Sequence, residues 1–257
     1  MDLIVTELDN LFLDSWYPQD NPMFERDAIP RQAITIFFTM WFGGALLYFI
    51  LASLSYFVFF IWKKDYFHPA HEPQPKPGQV WREIKLALWS MPTMSVLTTP
   101  LILLEFHGYS QLYMGVGSYA YLAFSAVLFL LFTDTAIYWI HRLEHEIPFL
   151  YKYVHKPHHA WFVPTPFAAI AFHPVDGWLQ SLPYHIFPFI FPFHKVLYLG
   201  MFIFVQVWTI SIHDGVDASL FGFINGSVSF HYYLFYSISF QFQFQFQFQF
   251  QFQFNLI

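Results

Sequence analysis

The sequence predicts an all-α integral membrane protein of about four transmembrane helices, the last of them broken, with a histidine-rich metal site facing the cytosol. Three observations predict it. First, 56% of the 257 residues are hydrophobic and only 11% are charged, against about 25% charged in an average soluble domain. Second, the apolar residues fall in runs long enough to cross a bilayer. Third, five of the 13 histidines fall within residues 141–159, just beyond the third run. The apolar content excludes intrinsic disorder, and the absence of cysteine excludes a disulfide-stapled fold. A net charge of −6 with no basic stripe argues against a nucleic-acid partner.

The first 33 residues form an acidic segment: Asp2, Glu7, Asp9, Asp14, Asp20, Glu25 and Asp27 face only Arg26 and Arg31. No basic stretch precedes a short apolar core, so the segment does not read as a cleaved signal peptide. The first span is Ile34 to Trp62, ending at Lys63-Lys64. Residues 63–85 read as a linker, too rich in proline (Pro69, Pro73, Pro75, Pro77) to be helical. The second span, Leu86 to Leu104, carries Pro92 and Pro100, and the third runs from Tyr119 to Ile140. From Leu182 to Ile212 an apolar region is broken by Pro183, Pro188, Pro192 and Lys195, which suggests a re-entrant or hairpin pair. Lys63, Lys64, Lys76, Arg82 and Lys85 sit between spans one and two; Arg142, Lys152 and Lys156 follow span three. The positive-inside rule puts both groups in the cytosol and the acidic N-terminus across the membrane, in the lumen.

Two histidine clusters carry the chemistry. In His141-Arg-Leu-Glu-His145 the imidazoles at i and i+4 share one helix face. In His155-Lys-Pro-His158-His159, Pro157 disfavours a helical Lys156, so His155 is expected to precede the helix that Pro157 opens. His158 and His159 then diverge, able to serve two different ions. A lone histidine is more often an interfacial hydrogen-bonding group; five in 19 residues at this spacing favour metal. The spacing serves iron and zinc alike. His173 and His213, beside polar turns, are further candidate ligands. His185 and His194 read equally well as packing groups, and His68, His71 and His107 as loop residues. Asp134, two turns before His141, is a candidate to orient a ligand histidine, with a plain polar role near the membrane surface as the alternative. Glu144 and Glu146 read as solvated charges, and Trp139, Trp161 and Trp178 as interfacial aromatics.

Taken together, Tyr138-Trp-Ile-His-Arg, His155-Lys-Pro-His-His, Val163-Pro-Thr-Pro-Phe, Phe172-His-Pro-Val-Asp-Gly, Leu182-Pro-Tyr-His and Ile212-His-Asp-Gly resemble the sterol C-5 desaturases of the fatty acid hydroxylase superfamily, in a fungal character. The resemblance covers about residues 1–227, and residues 119–227 form its hydroxylase-like region. It implies an endoplasmic-reticulum membrane enzyme that turns a Δ7-sterol into a Δ5,7-sterol. It also implies two iron ions, O2, and electrons from NAD(P)H through cytochrome b5 and its reductase. The sterol would reach the site from the surrounding membrane lipids. Thr165, in Pro-Thr-Pro, falls near the substrate channel by this resemblance.

The resemblance departs after Ile224-Asn-Gly-Ser227. The family carries a third histidine box there, roughly His-Thr-x-His-His-Leu; this chain has the single His231, counted as a further ligand. From Ala218 onward no residue is charged, and Phe240 to Phe254 alternates phenylalanine with glutamine. Such a segment has strand periodicity, no charge and no proline, which marks an aggregation-prone tract. Val228-Ser229 can be encoded by GTAAGT, and a hexanucleotide repeat gives Phe-Gln, so residues 228–257 read as translated intron or a gene-model error, with a real specialised tail as the alternative. The intron reading requires a GT-starting splice donor at codons 228–229. Without the third box the metal site is expected to be incomplete and the enzyme inactive. Two other readings stay open: a non-catalytic sterol- or metal-binding membrane protein, and a fatty acyl or C-4 methyl hydroxylase of the same superfamily.

Overall fold

In the computed structural model, which describes residues 2–18, 21–71, 73–115 and 117–213, five long helices build one compact unit. They are α1 (Ile29–Tyr56), α2 (Gln79–Phe106), α3 (Tyr119–Glu146), α4 (Pro174–Ile190) and α5 (Lys195–Ser211). α1 continues through a wider π-helical turn, Phe57–Trp62. His231 and the Phe-Gln tract lie outside the described residues.

Each of the first three helices has 28 residues, about 42 Å at 1.5 Å per residue. That exceeds a hydrocarbon core of about 30 Å, and all three are apolar enough to cross a membrane. α2 stays helical through Pro92 and Pro100. Ser90, Ser95 and Thr99 donate to carbonyls one turn back along it, at 2.9, 2.9 and 2.8 Å. Packing within the bundle then tolerates the missing backbone donors.

The broken fourth region is a hairpin. α4 and α5 have 17 residues each, about 25 Å long. The chain turns between them through Phe193–His194 (β2), which pairs in parallel with Leu112–Tyr113 (β1) from the α2–α3 loop. Gln111 caps the open end of α4. Its N–H donates to the Pro188 carbonyl at 2.7 Å, and its amide to Phe189 and Ile190 at 3.2 and 2.9 Å. The last carbonyls of a helix have no partner within it, so this loop supplies the missing donors and fixes the hairpin tip at the far end of α2 and α3. An aromatic core of Phe129, Phe187, Phe193 and Tyr198 fills that half, with Phe129 and Phe193 stacked at 5.2 Å.

At the opposite end, the C-termini of α1, α3 and α5 meet the N-termini of α2 and α4. The lysines and arginines of residues 63–85 and 142–156 gather there, and so do the histidine clusters. The linker is shorter than expected: α2 starts at Gln79, so Arg82 and Lys85 are helical. Gly78, at φ 71°, makes the left-handed turn into it. Proline governs only the stretch up to Pro77. The acidic N-terminus is folded too. Arg31 is 3% exposed and donates to Asp9 at 2.7 Å, to Asp14 at 2.6 Å and to the Phe24 carbonyl at 2.8 Å.

Candidate metal centre

His141 and His145 stand on the last turns of α3, one turn apart. The chain then reverses at Ile147-Pro148 and makes a helical turn ending at His155. His155 therefore closes one helical turn and, as expected, precedes the short turn that Pro157 opens; Lys156 between them is itself helical at φ −53°, ψ −37°. The Lys156 N–H reaches back five residues to Tyr151 at 2.8 Å, and this widened turn holds the geometry that Pro157 disfavours. A short 3₁₀ turn, His158–Ala160, then brings His159 round.

The result is that four Nε2 atoms converge. His141 and His145 are 3.0 Å apart, His141 and His155 3.1 Å, His145 and His155 3.2 Å. His159 lies 3.2 Å from His145 and 2.9 Å from His155. Protons cannot satisfy this arrangement. A neutral imidazole has one N–H, and the His155 Nδ1 faces Asp176 Oδ2 at 3.1 Å. Its Nε2 is then a single lone pair, yet three other nitrogens surround it. A cation at the centre satisfies all four.

The spacing also suits the ion. With metal–nitrogen bonds of ~2.1 Å, ligands at right angles stand ~3.0 Å apart and tetrahedral ligands ~3.4 Å. Five pairs fall between 2.9 and 3.2 Å. Ring centroids of those pairs are 4.5 to 4.9 Å apart, but those of His141 and His159 are 6.2 Å apart. His141 and His159 therefore occupy opposite ends of the group, with His145 and His155 between them.

Two carboxylates stand behind His155. Asp176, in the first turn of α4, is fully buried and also accepts from Gln180. Glu144 is 1% exposed; its Oε2 lies 3.5 Å from the His155 Nδ1 and 3.4 Å from the Gln180 amide. A carboxylate on the far nitrogen fixes the tautomer and strengthens the imidazole as a ligand. Burial, with His155 adjacent, pushes His159 down to about 4. A histidine held neutral is the form that binds metal.

His158 turns away from this group. Its ring lies 5.9 Å from that of His213 and 6.3 Å from that of His141. Its Nδ1 is buried with no hydrogen-bond partner among the described residues. Burial, then His213, holds it well below the usual histidine range. The His213 Nδ1–H donates to the Thr209 carbonyl at 2.7 Å, which leaves its Nε2 bare, and burial lowers it as well. These two histidines make a second, separate pair of nitrogen donors beside the first group.

The fatty acid hydroxylase family profile matches residues 126–249, running past the boundary expected at Ser227. The chain is 49% identical over 236 residues to the lathosterol oxidase of Homo sapiens, covering 88% of this chain and 76% of that one. It is 50% identical over 217 residues to a Delta(7)-sterol 5(6)-desaturase of Aspergillus fumigatus, covering 82% of this chain and 62% of the other. With one from Schizosaccharomyces pombe it shares 46% identity over 230 residues, 88% of this chain and 74% of the other. This chain belongs to the sterol C-5 desaturases of the fatty acid hydroxylase superfamily. The likeness is as strong to mammalian as to fungal members, so the fungal character of its motifs sets no distinction. No solved structure matches.

Of the family-like site residues, the fold gathers His141, His145, His155 and His159 at one point and His158 with His213 at another. His173 caps α4, its Nδ1 accepting from the Val175 N–H at 3.3 Å, with its ring against Trp89. Thr165 is fully buried, and its hydroxyl donates to Glu83. Asp134 lies exposed on α3; the carboxylates that reach His155 are Glu144 and Asp176. Glu144 is not a solvated charge, whereas Glu146 is half-exposed and pairs with Arg142 at 2.7 Å. Helical spacing offers a signal for Glu144: three residues after His141, it shares that face. Asp176 has no such local signal, since its partner lies 21 residues away.

Proposed function

We propose that this chain is built to introduce the C5=C6 double bond into a Δ7-sterol within sterol biosynthesis. The observation that carries this is the convergence of four imidazole Nε2 atoms backed by Asp176, in a chain 49% identical to a lathosterol oxidase. The proposed ligand set is two groups. His141, His145, His155 and His159 hold one iron; His158 and His213 begin the site of a second. His173, expected as a ligand, is engaged as a helix cap; His231 remains a proposed ligand on sequence alone.

Iron bound there supplies the oxidising power to remove hydrogen from unactivated C–H bonds, which no side chain provides. The balance is fixed. The sterol gives up two hydrogens with two electrons, the donor chain gives two more, and dioxygen takes all four with two protons to leave two waters. NAD(P)H, cytochrome b5 and its reductase are the proposed electron route. The protein's own part is placement. α3 delivers His141 and His145 at the membrane end, Asp176 accepts from the His155 Nδ1–H with Glu144 beside it, and the bundle encloses His155 completely. The basic residues around the histidine end support a cytosolic orientation, in the endoplasmic reticulum, where a soluble electron-donor head can dock.

The second site sets the activity. His158 and His213 are two donors, and the segment that carries the family's third histidine box holds only His231 here. The proposed consequence is that this form does not turn over. Expression in a fungal strain lacking the enzyme tests both statements through the ultraviolet bands of a Δ5,7-diene. The chain itself yields no diene. A chimera in which the corresponding C-terminal segment of human lathosterol oxidase replaces residues 228–257 yields it. Diene from the unaltered chain overturns the inactivity; a folded, membrane-inserted chimera without diene overturns the sterol assignment.

A further inference from the structure

Between the second histidine cluster and α4 the chain runs as a strap, residues 161–173, extended at its ends and wound into a short 3₁₀ turn at Pro166–Ile170. Its middle is deeply inserted: Thr165, Pro166, Phe167, Ala168 and Ala169 are buried. Buried backbone groups that the short turn leaves unpaired must be satisfied by other protein groups. Here they come from the first two helices. Gln79 donates to the Val163 carbonyl at 2.6 Å, Tyr48 to Phe167 at 2.7 Å, and Ser90 to Phe172. Trp161 closes the strap on itself through the Ala171 carbonyl at 2.8 Å.

One residue ties this together. Glu83, fully buried on α2, accepts the Thr165 hydroxyl on Oε2 and the Gln79 amide on Oε1 at 2.8 Å, with the Thr165 N–H 3.4 Å from the same oxygen. It thus holds the strap directly at Thr165 and indirectly at Val163, by orienting Gln79. The strap ends at His173, whose cap starts α4, and three residues on stands Asp176 against His155. We propose that Glu83 is a positioning residue: by anchoring the Val163–Thr165 strap to α2, it sets where Asp176 stands behind His155. Its connection to the metal centre is mechanical and runs through Thr165, Gln79 and the strap.

The inference rests on the metal-site reading for one of its two readouts only. In the full chain, purified in detergent without metal, hydrogen exchange is followed at the amides of Ala168, Ala171 and Gly177. These donate to Thr165, Ala168 and His173 carbonyls. Co2+ binding is then titrated. Glu83→Leu is expected to speed exchange at all three amides by about tenfold and to weaken Co2+ by about tenfold. Glu83→Gln, which keeps an oxygen for Gln79 and a group for the Thr165 hydroxyl, is expected to restore both. Phe129→Leu, in the far aromatic core, lowers the unfolding temperature and leaves both unchanged. Thr165→Val carries the same test and expectation if Glu83→Leu does not accumulate folded.

Unchanged exchange in Glu83→Leu, or equal loss in Phe129→Leu, overturns the anchoring. A loosened strap with Co2+ affinity intact overturns the positioning. If the unaltered chain takes up no Co2+, it is the metal-site reading that fails. Exchange at Gly177, beside Asp176, then decides the proposal alone: faster in Glu83→Leu supports it, unchanged overturns it.

Discussion

Asp176→Asn tests the metal centre with one atom changed. Asp176 receives two donors, the His155 Nδ1–H at 3.1 Å and the Gln180 amide. An asparagine has one oxygen, so it cannot accept both without a donor–donor contact. Gln180 also donates to Glu144 at 3.4 Å, so it keeps its amide nitrogen on the asparagine oxygen; the asparagine amide then faces His155, and the His155 Nδ1 becomes an acceptor. The ring proton then moves to Nε2, the atom surrounded by His141, His145 and His159 at 2.9 to 3.2 Å. A protonated Nε2 cannot be a ligand. Loss of such a supporting carboxylate costs ~10–100-fold in metal affinity, about 1.4–2.8 kcal/mol. Glu144 lies 3.5 Å from the same nitrogen and cushions the loss, so Glu144→Gln alone costs less and the double variant costs more than either. Equilibrium titration with Fe2+ or Co2+, on chains matched for unfolding temperature, reads all three. Asp176→Asn binding within about threefold of the unaltered chain refutes the assignment, because that is well under the loss expected of a ligand's supporting carboxylate.

Three further changes probe the frame that holds the site. A Cβ at Gly177 would overlap the Phe172 ring, so Gly177→Ala should destabilise by ~1–3 kcal/mol, read by thermal unfolding in detergent, with partial recovery in Gly177→Ala/Phe172→Leu. Phe129→Ala removes a fully buried ring packed on Phe187, Phe193 and Tyr198. It should cost ~3–5 kcal/mol by the same measurement. Arg31→Met leaves Asp9 and Asp14 without the guanidinium that joins them, and limited proteolysis should then cut the first 16 residues faster while the bundle stays intact.

Much of this was legible from residues alone. The three apolar runs are the three long helices, because a bilayer-length apolar segment has few other ways to satisfy its backbone. Pro183, Pro188 and Pro192 correctly marked a hairpin, although α4 keeps two of these prolines inside it; the break falls at Phe191-Pro192. HxxxH spacing places His141 and His145 together because a helix repeats every 3.6 residues. What the sequence hides is long-range. Asp176 reaches His155 only through the strap, and Glu83 meets Thr165 across 82 positions. The parting of His158 from His159 follows from a tight 3₁₀ turn, in which adjacent side chains point a third of a turn apart. Lys156 shows a local rule yielding to tertiary context, as the widened turn before Pro157 is held by its own backbone bond.

The central claim is that an ion sits among His141, His145, His155 and His159. X-ray absorption on the iron-loaded chain tests it most directly, alongside metal analysis. The expected result is a tightly held ion whose shell is dominated by four imidazole nitrogens at ~2.1 Å, lost in His155→Ala. A folded chain that retains no iron, or one whose iron shell is unchanged by His155→Ala, contradicts it.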